Sequence, residues 1–279
     1  MKVEFFPAGR GSLAVFSCTL ASVLLCLAGC DRIKSYREAA RARRSSKERI
    51  AHPSRTGAAA SPKLAIILDD VGSDPSAVDQ VFALHYPLTL SVLPFHQHST
   101  AIAEEAHRHG YEVMLHLPME SVGNKVSEPR QLRPGMNSLQ VSNDLGGMLS
   151  SVPYAVGVNN HQGSLATSNP ELMAELMPLL RQRHLFFIDS RTTAATTAYE
   201  QAQSAGVPSA FRNVPFLDDV PDAGAVRRQL ELAFKDAKEK HEAIAIGHPH
   251  PETLQALADL LPQAEAQGIR LVHASDLVH

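Results

Sequence analysis

The chain has 279 residues, 44% hydrophobic and 20% charged, with a formal net charge of −3; that balance excludes a collagen-like, low-complexity or mainly disordered protein. Its three cysteines, Cys18, Cys26 and Cys30, all fall in the first thirty residues, so the rest of the chain can hold neither a disulfide framework nor a cysteine zinc site. The charge is divided: residues 31–62 carry nine basic and three acidic residues, whereas residues 63–279 carry fifteen basic and twenty-five acidic ones, which argues against nucleic acid as a partner of the larger segment.

Lys2 and Arg10 precede an apolar run from Leu13 to Leu27. The run is too short for a convincing spanning helix and reads as the core of a secretory signal. Leu27-Ala28-Gly29-Cys30 resembles a bacterial lipobox. That resemblance implies removal of residues 1–29 and lipidation of Cys30, which would hold the protein on the periplasmic side of a cell membrane. Asp31 resembles the sorting signal for inner-membrane retention. Residues 30–62 have too few large apolar side chains for a core and are expected to be a flexible tether. Their positive charge also suits a strap on anionic lipid headgroups.

From Lys63 onward short apolar runs alternate with helical stretches. The expected strands are Leu64–Leu68, Leu88–Leu93, Glu112–Leu115, Ala155–Val158, Leu185–Ile188, Ser209–Phe211, Glu242–Ile246 and Ile269–Val272. Helices are expected near Pro75–Leu84, Thr100–His109, Leu139–Ser150, Pro170–Arg183, Thr193–Ser204, Gly224–Lys240 and Pro251–Ala266. Ser168-Asn169-Pro170-Glu171 fits a helix start with Ser168 as its cap, and Asp74 fits a capping turn. Gly110, Gly206 and Gly268 sit where helices end in a left-handed residue. Such alternation implies an α/β protein, a parallel (β/α) barrel of seven or eight strands, distorted, over residues 63–279. An open doubly wound sheet is the alternative, without a GxGxxG or P-loop sequence to support nucleotide binding.

In such a barrel chemistry gathers at the C-terminal ends of the strands. Asp69-Asp70 follows the first run, His96 and His98 the second, His116 and Glu120 the third, and Asn159-Asn160-His161 the fourth. Asp189-Ser190-Arg191 follows the fifth run, Arg212-Asn213 the sixth, His248 and His250 the seventh, and His273 and Asp276 the eighth. Two adjacent carboxylates repel each other, so Asp69-Asp70 is expected to hold a cation or share a proton. If one binds a metal, the other can act as general base.

The segment Leu64–Gly72 resembles the first motif of the polysaccharide deacetylase (NodB-like) superfamily. His116-Leu117-Pro118-Met119-Glu120 resembles its second motif, and Ile246-Gly247-His248 its last. Leu115–Glu120, Asn159–Ser164, Phe187–Thr192 and Gly247–Thr253 together resemble the divergent polysaccharide deacetylase family of bacterial envelope proteins. The resemblance implies a distorted barrel, Asp69 as catalytic base, Asp70 and His116 as ligands of a divalent metal, usually zinc, and His248 as general acid. Glu120 stands where that superfamily has its second metal-binding histidine.

Zinc with an open catalytic position takes three protein ligands. The third is His161 or Glu120; His161 is preferred, because imidazole suits zinc and it follows the strand next to that of His116. Asp189 and Arg191 are expected to form a charged pair near His248, orienting it or tuning its pKa. The expected reaction is water attack on an acetamide carbonyl of an N-acetylated glycan, peptidoglycan or another envelope polysaccharide, with His248 protonating the amine. The chain has no tryptophan, so Tyr154, Tyr199 or Phe95 would have to stack on sugar rings. Two alternatives stand beside this: a non-catalytic binding or scaffold lipoprotein on the same fold, and a metal-dependent hydrolase of another amide or ester.

Overall fold

The computed structural model describes residues 61–123, 128 and 130–279. The expected signal, the lipobox with Cys30 and nearly all of the tether lie outside the described residues. Among the described residues eight strands alternate with seven helices. They run β1 (Lys63–Val71), α1 (Pro75–Phe82), β2 (Thr89–Val92), α2 (Ser99–Arg108), β3 (Glu112–Met119), α3 (Ser138–Ser151), β4 (Gly157–Gln162), α4 (Pro170–Gln182), β5 (Phe186–Asp189), α5 (Ala198–Ser204), β6 (Ser209–Phe211), α6 (Ala223–Lys240), β7 (Glu242–Gly247), α7 (Pro251–Ala266) and β8 (Arg270–Val272). A final 3₁₀ turn covers Ala274–Leu277. No helix among the described residues is long and apolar enough to cross a membrane.

The sheet order is β6-β5-β4-β3-β2-β1-β7, with β8 beside β1, and every pairing is parallel. Parallel strands joined by crossover helices are buried on both faces, and all eight residues of β3 are buried. Alternation along each strand sorts the side chains into two cores. Leu64, Ile66 and Leu68 of β1 pack outward under the helices. Ala65 and Ile67 turn inward, joining Met114, Phe186, Ile188, Ile244, Ile246 and Val272. Gly157 leaves room for the ring of Phe186, since a Cβ there would lie 2.4 Å from ring atoms.

The ring is a nearly closed, distorted barrel. Between β6 and β7 the chain after β6 stands in for a strand: Asn213 N–H donates to Ile244 C=O and Leu217 N–H to Ile246 C=O, both at 2.9 Å. The Asn213 Oδ1 accepts from Ile244 N–H at 2.7 Å. At the opposite end of the barrel the 3₁₀ turn plugs the floor. Ala274 N–H donates to Thr89 Oγ1, Ser275 N–H to Glu112 Oε1, and Leu277 is 1% exposed within the inner core.

Several local expectations are refined. Asp74 caps α1, accepting from the N–H groups of Ser76 and Ala77. Gly110, Gly206 and Gly268 have φ of 80°, 69° and 80°. The cap of α4 is Asn169, not Ser168: its Oδ1 accepts from Leu172 N–H at 2.8 Å. Strands β3 and β4 run further than their apolar runs suggest, to Met119 and Gln162, so His116, Asn159 and His161 lie inside strands. Polar residues there face a filled polar interior layer instead of solvent, so the hydrophobic pattern ends before the ladder does.

Candidate active site

The inward parity that buries Ile67, Met114, Ile188 and Ile246 continues, two residues on, to Asp69, His116, Ser190 and His248. The polar layer therefore lies on top of the apolar one, at the C-terminal face. Register brings partners side by side: Leu68 lies opposite Gly247, His116 opposite Asn159, and Pro118 opposite His161.

Strict alternation would send Asp70 outward, away from Asp69. A bulge prevents this. Leu68 pairs with Leu90 and Val71 with Val92, so β1 takes three steps where β2 takes two. Asp70 has φ of 58°, a left-handed state uncommon outside glycine and typical of functional turns. Bulges re-aim side chains in this way, and both carboxylates face the mouth.

Asp70 Oδ1 lies 2.9 Å from His161 Nδ1 and 3.2 Å from His116 Nε2, and the two imidazole nitrogens are 3.1 Å apart. Asn159 sets the tautomer of His116. Its Nδ2 donates to Asp69 Oδ1 at 2.8 Å, so its Oδ1 is the acceptor for Ser91 Oγ at 2.5 Å and for His116 Nδ1 at 2.7 Å. His116 Nδ1 thus carries a proton, and Nε2 faces Asp70, where loss of its own proton would free a lone pair for a cation. Asp70, His116 and His161 form a group able to hold a metal ion. Ligand atoms around a tetrahedral zinc stand about 3.3 Å apart for bonds of about 2.0 Å, so the spacing and the donor set fit a divalent cation. Glu120 stands outside this group; its backbone N–H donates to Leu132 C=O, and its C=O accepts from Leu165 and Ala166.

Burial pushes the Asp69 carboxyl above its usual range, against the pull of His116, His248 and Asn159. Burial also acts to raise Asp70, but hydrogen bonds and charge from His116 and His161 prevail and hold it well below the carboxylate range. His116 is likewise raised: burial opposes its charge, and Asp69 and Asp70 favour it. Two neighbouring carboxylates are therefore driven apart, one toward a base and one toward a permanent anion.

His248 Nε2 lies 3.6 Å from Asp70 Oδ2 on the other side. Its orienting partner is Asp218, not Asp189 or Arg191. His248 Nδ1 donates to Asp218 Oδ1 at 2.9 Å, and Asp218 Oδ2 accepts from His248 N–H at 2.6 Å and Thr253 Oγ1 at 2.7 Å. Burial disfavours the charged imidazole, but Asp218 outweighs it and raises His248 to about 9. Asp218, His248 and His250 also lie close enough to hold an ion, yet three donated hydrogen bonds already occupy the Asp218 carboxylate.

Asp189 faces outward from β5 and shapes its own loop: its carboxylate accepts from Arg191 N–H and Thr196 Oγ1, each at 2.8 Å. The Arg191 guanidinium lies over the Phe211 ring, 3.4 Å from its centroid. His96 bridges Ser73 and Glu128. His273 and Asp276 belong to the floor, because Val272 aligns with Ala65, about 13 Å before Asp69 along β1. Phe95 is 43% exposed and lies against α3, its N–H donating to Ser151 Oγ and its ring under the Arg130 guanidinium, whereas Tyr154 precedes β4 and stacks on His107. Sequence reading missed Asp218. The signal was the run Val214-Pro215-Phe216-Leu217-Asp218-Asp219, an apolar stretch ending in carboxylates, as β1 does.

The sequence pattern of divergent polysaccharide deacetylases matches residues 66–278. The chain is 39% identical over 217 residues to the uncharacterized protein YibQ of Escherichia coli K12, covering 78% of this chain and 67% of YibQ. Among solved structures it is similar to the uncharacterized protein ATU2773 of Agrobacterium tumefaciens C58, with a TM-score of 0.74 and 22% identity over 80% of this chain and 91% of that one. It is also similar to the T48 deacetylase, solved with substrate, with a TM-score of 0.51 and 14% identity over 78% of this chain and 90% of that one. At these identities the two structures establish a shared fold, the NodB-like distorted barrel.

Proposed function

Because the chain belongs to the divergent polysaccharide deacetylase family, we propose that it is a metal-dependent hydrolase that removes acetyl groups from an N-acetylated envelope polysaccharide. The observation that carries this is the convergence of Asp70, His116 and His161 at 2.9–3.2 Å, with Asp69 on one side and His248 on the other. Here His161 of β4 supplies the imidazole that Glu120 does not. A divalent ion, zinc by donor type, would be held by Asp70, His116 and His161 and would supply Lewis-acid polarisation of the acyl oxygen. Asp69, raised by burial and held by Asn159, takes the proton of the attacking water. His248, kept protonated by Asp218, donates to the departing amine. Ser91 and Asn159 keep His116 in the tautomer that leaves Nε2 available.

Acetate release from N-acetylglucosamine oligomers tests this. The zinc-loaded protein should release acetate and the chelated protein should not, and Asp69→Asn should abolish turnover while zinc stays bound. Bound zinc without acetate release would refute the activity. In the same reading Cys30 carries a lipid anchor, the tether spans residues 30–62, and the domain works on the periplasmic side, at the inner membrane, on peptidoglycan or another envelope glycan. Labelling with radioactive palmitate, lost in Cys30→Ala, tests the anchor.

A further inference from the structure

Charge is not spread evenly over the domain. Strands β2, β3, β4 and β5 are parallel neighbours in the sheet, so the segments leading into them share the floor end of the barrel, across about 14 Å. Those segments, residues 83–88, 107–111, 152–156 and 181–185, hold three arginines, four histidines and no carboxylate. In residues 63–279 as a whole, carboxylates outnumber basic residues twenty-five to fifteen. The flanking acids are Asp79 and Glu105, one turn back on α1 and α2, and Glu112. Glu105 is paired with Arg108 and His109, and Glu112 is buried, accepting from Thr89 and Ser275. Among the described residues Arg181 and Arg183 have no ion pair; they reach the Ala205 and Leu179 carbonyls and Ser142 Oγ. Basic side chains at a helix C-terminus offset its dipole, which accounts for part of this pattern. It does not account for Tyr154 and Val156, 54% and 46% exposed on the same four-strand sector. Tyr154 has φ of 64°, an outlier for a bulky residue, and its ring is stacked on His107 at 4.0 Å. An aromatic ring held outward among arginines suits the boundary between water and lipid.

We propose that this sector of the floor is a docking surface for an anionic lipid bilayer, with Tyr154 and Val156 at headgroup level and Arg108, Arg181 and Arg183 toward the phosphates. Around the rest of the floor four basic residues, from Lys63 to Arg270, are balanced by four acidic ones, from Glu239 to Asp276. Strand β1 begins at this end with Lys63, so residues 31–62, nine basic to three acidic, join the domain here. The mouth end has the opposite sign: Asp74, Glu171, Asp222 and Glu252 stand at helix starts, and Asp219 follows Asp218. The eight residues of β3 separate the two ends by about 25 Å, beyond a Debye length of about 8 Å, so the acids at the mouth do not oppose docking. A domain docked in this way turns Asp70 and His248 away from the membrane, toward the glycan. The proposal takes from the functional reading only the anchor that brings a membrane near.

The test is fluorescence of the full chain on lipid vesicles. The chain has no tryptophan, so Tyr154→Trp introduces a single reporter on the patch. Val122→Trp introduces one in the loop after β3, at a position 69% exposed at the mouth end. Each variant is titrated with vesicles of phosphatidylethanolamine and phosphatidylglycerol, and with vesicles of phosphatidylcholine alone. On the anionic vesicles the Tyr154→Trp emission should shift to the blue and be quenched by brominated acyl chains, and the Val122→Trp emission should do neither. Phosphatidylcholine should leave both unchanged. Adding Arg108→Gln and Arg181→Gln to the Tyr154→Trp chain should raise the lipid concentration for half the shift about tenfold or more. No shift on anionic vesicles, an equal shift on phosphatidylcholine, an equal shift at both positions, or a shift indifferent to the two arginine substitutions would overturn the proposal. A patch shift in a chain that takes no palmitate label would refute the anchor and leave the docking surface standing. Palmitate label without a patch shift would do the reverse.

Discussion

His248 Nδ1 and Asp218 Oδ1 lie 2.9 Å apart across thirty residues of chain. The contact exists because Leu217 N–H docks on Ile246 C=O, drawing the loop after β6 into the gap beside β7. Gly247 allows that approach, since a Cβ there would stand 3.1 Å from Leu217 Cβ.

Asp218→Asn should therefore lower the pKa of His248 by more than one unit from about 9, measured by NMR titration of the metal-free chain. Asp189→Asn should leave that titration unchanged. The pair also links stability to pH. Because the folded imidazole titrates above its ordinary value of 6.5, its contribution is complete below about 6.5 and is lost as pH rises through about 9. The stability difference between wild type and Asp218→Asn should shrink over that window in denaturant titrations.

His161→Ala and His116→Ala should each weaken zinc binding by about a hundredfold or more, read by competition with a chelating dye. Glu120→Gln should bind zinc as the wild type does. Loss of zinc in Glu120→Gln with retention in His161→Ala would reverse the ligand assignment.

Gly157→Ala should destabilise the fold by about 1–3 kcal/mol, because the new methyl meets the Phe186 ring inside the barrel at 2.4 Å. Urea denaturation measures it. A second change, Phe186→Leu in the same chain, should recover part of the loss.

Leu277→Ala should cost about 2–4 kcal/mol, since this side chain fills the barrel floor at 1% exposure. Zinc affinity should be nearly unchanged, because the floor is separated from Asp70 by the apolar layer of Ala65, Ile67 and Ile246.

Much of this protein is written locally. The alternation of runs such as Leu64–Leu68 with helical stretches such as Pro170–Arg183 requires parallel strands under helices, because each helix has one apolar face to bury and each strand two. The same alternation marks Asp69, His116 and His248 as continuing inward positions, so three of the central groups are legible from period two. Asp189 was misassigned because it shares a segment with Ser190 and Arg191 but has the opposite parity, which turns its carboxylate out of the barrel and into its own loop.

The sequence by itself determined the fold class, the apolar and polar layers of the barrel, and the residue types available for metal and acid–base chemistry, all of which follow from short-range periodicity. Tertiary structure alone decided that Asp70 turns to join Asp69 at the mouth, that His161 and not Glu120 meets His116, and that Asp218 orients His248. Each of these depends on a bulge, an inter-strand register or a loop seated in a gap between strands. Such features arise when distant segments pack, and no local pattern encodes them.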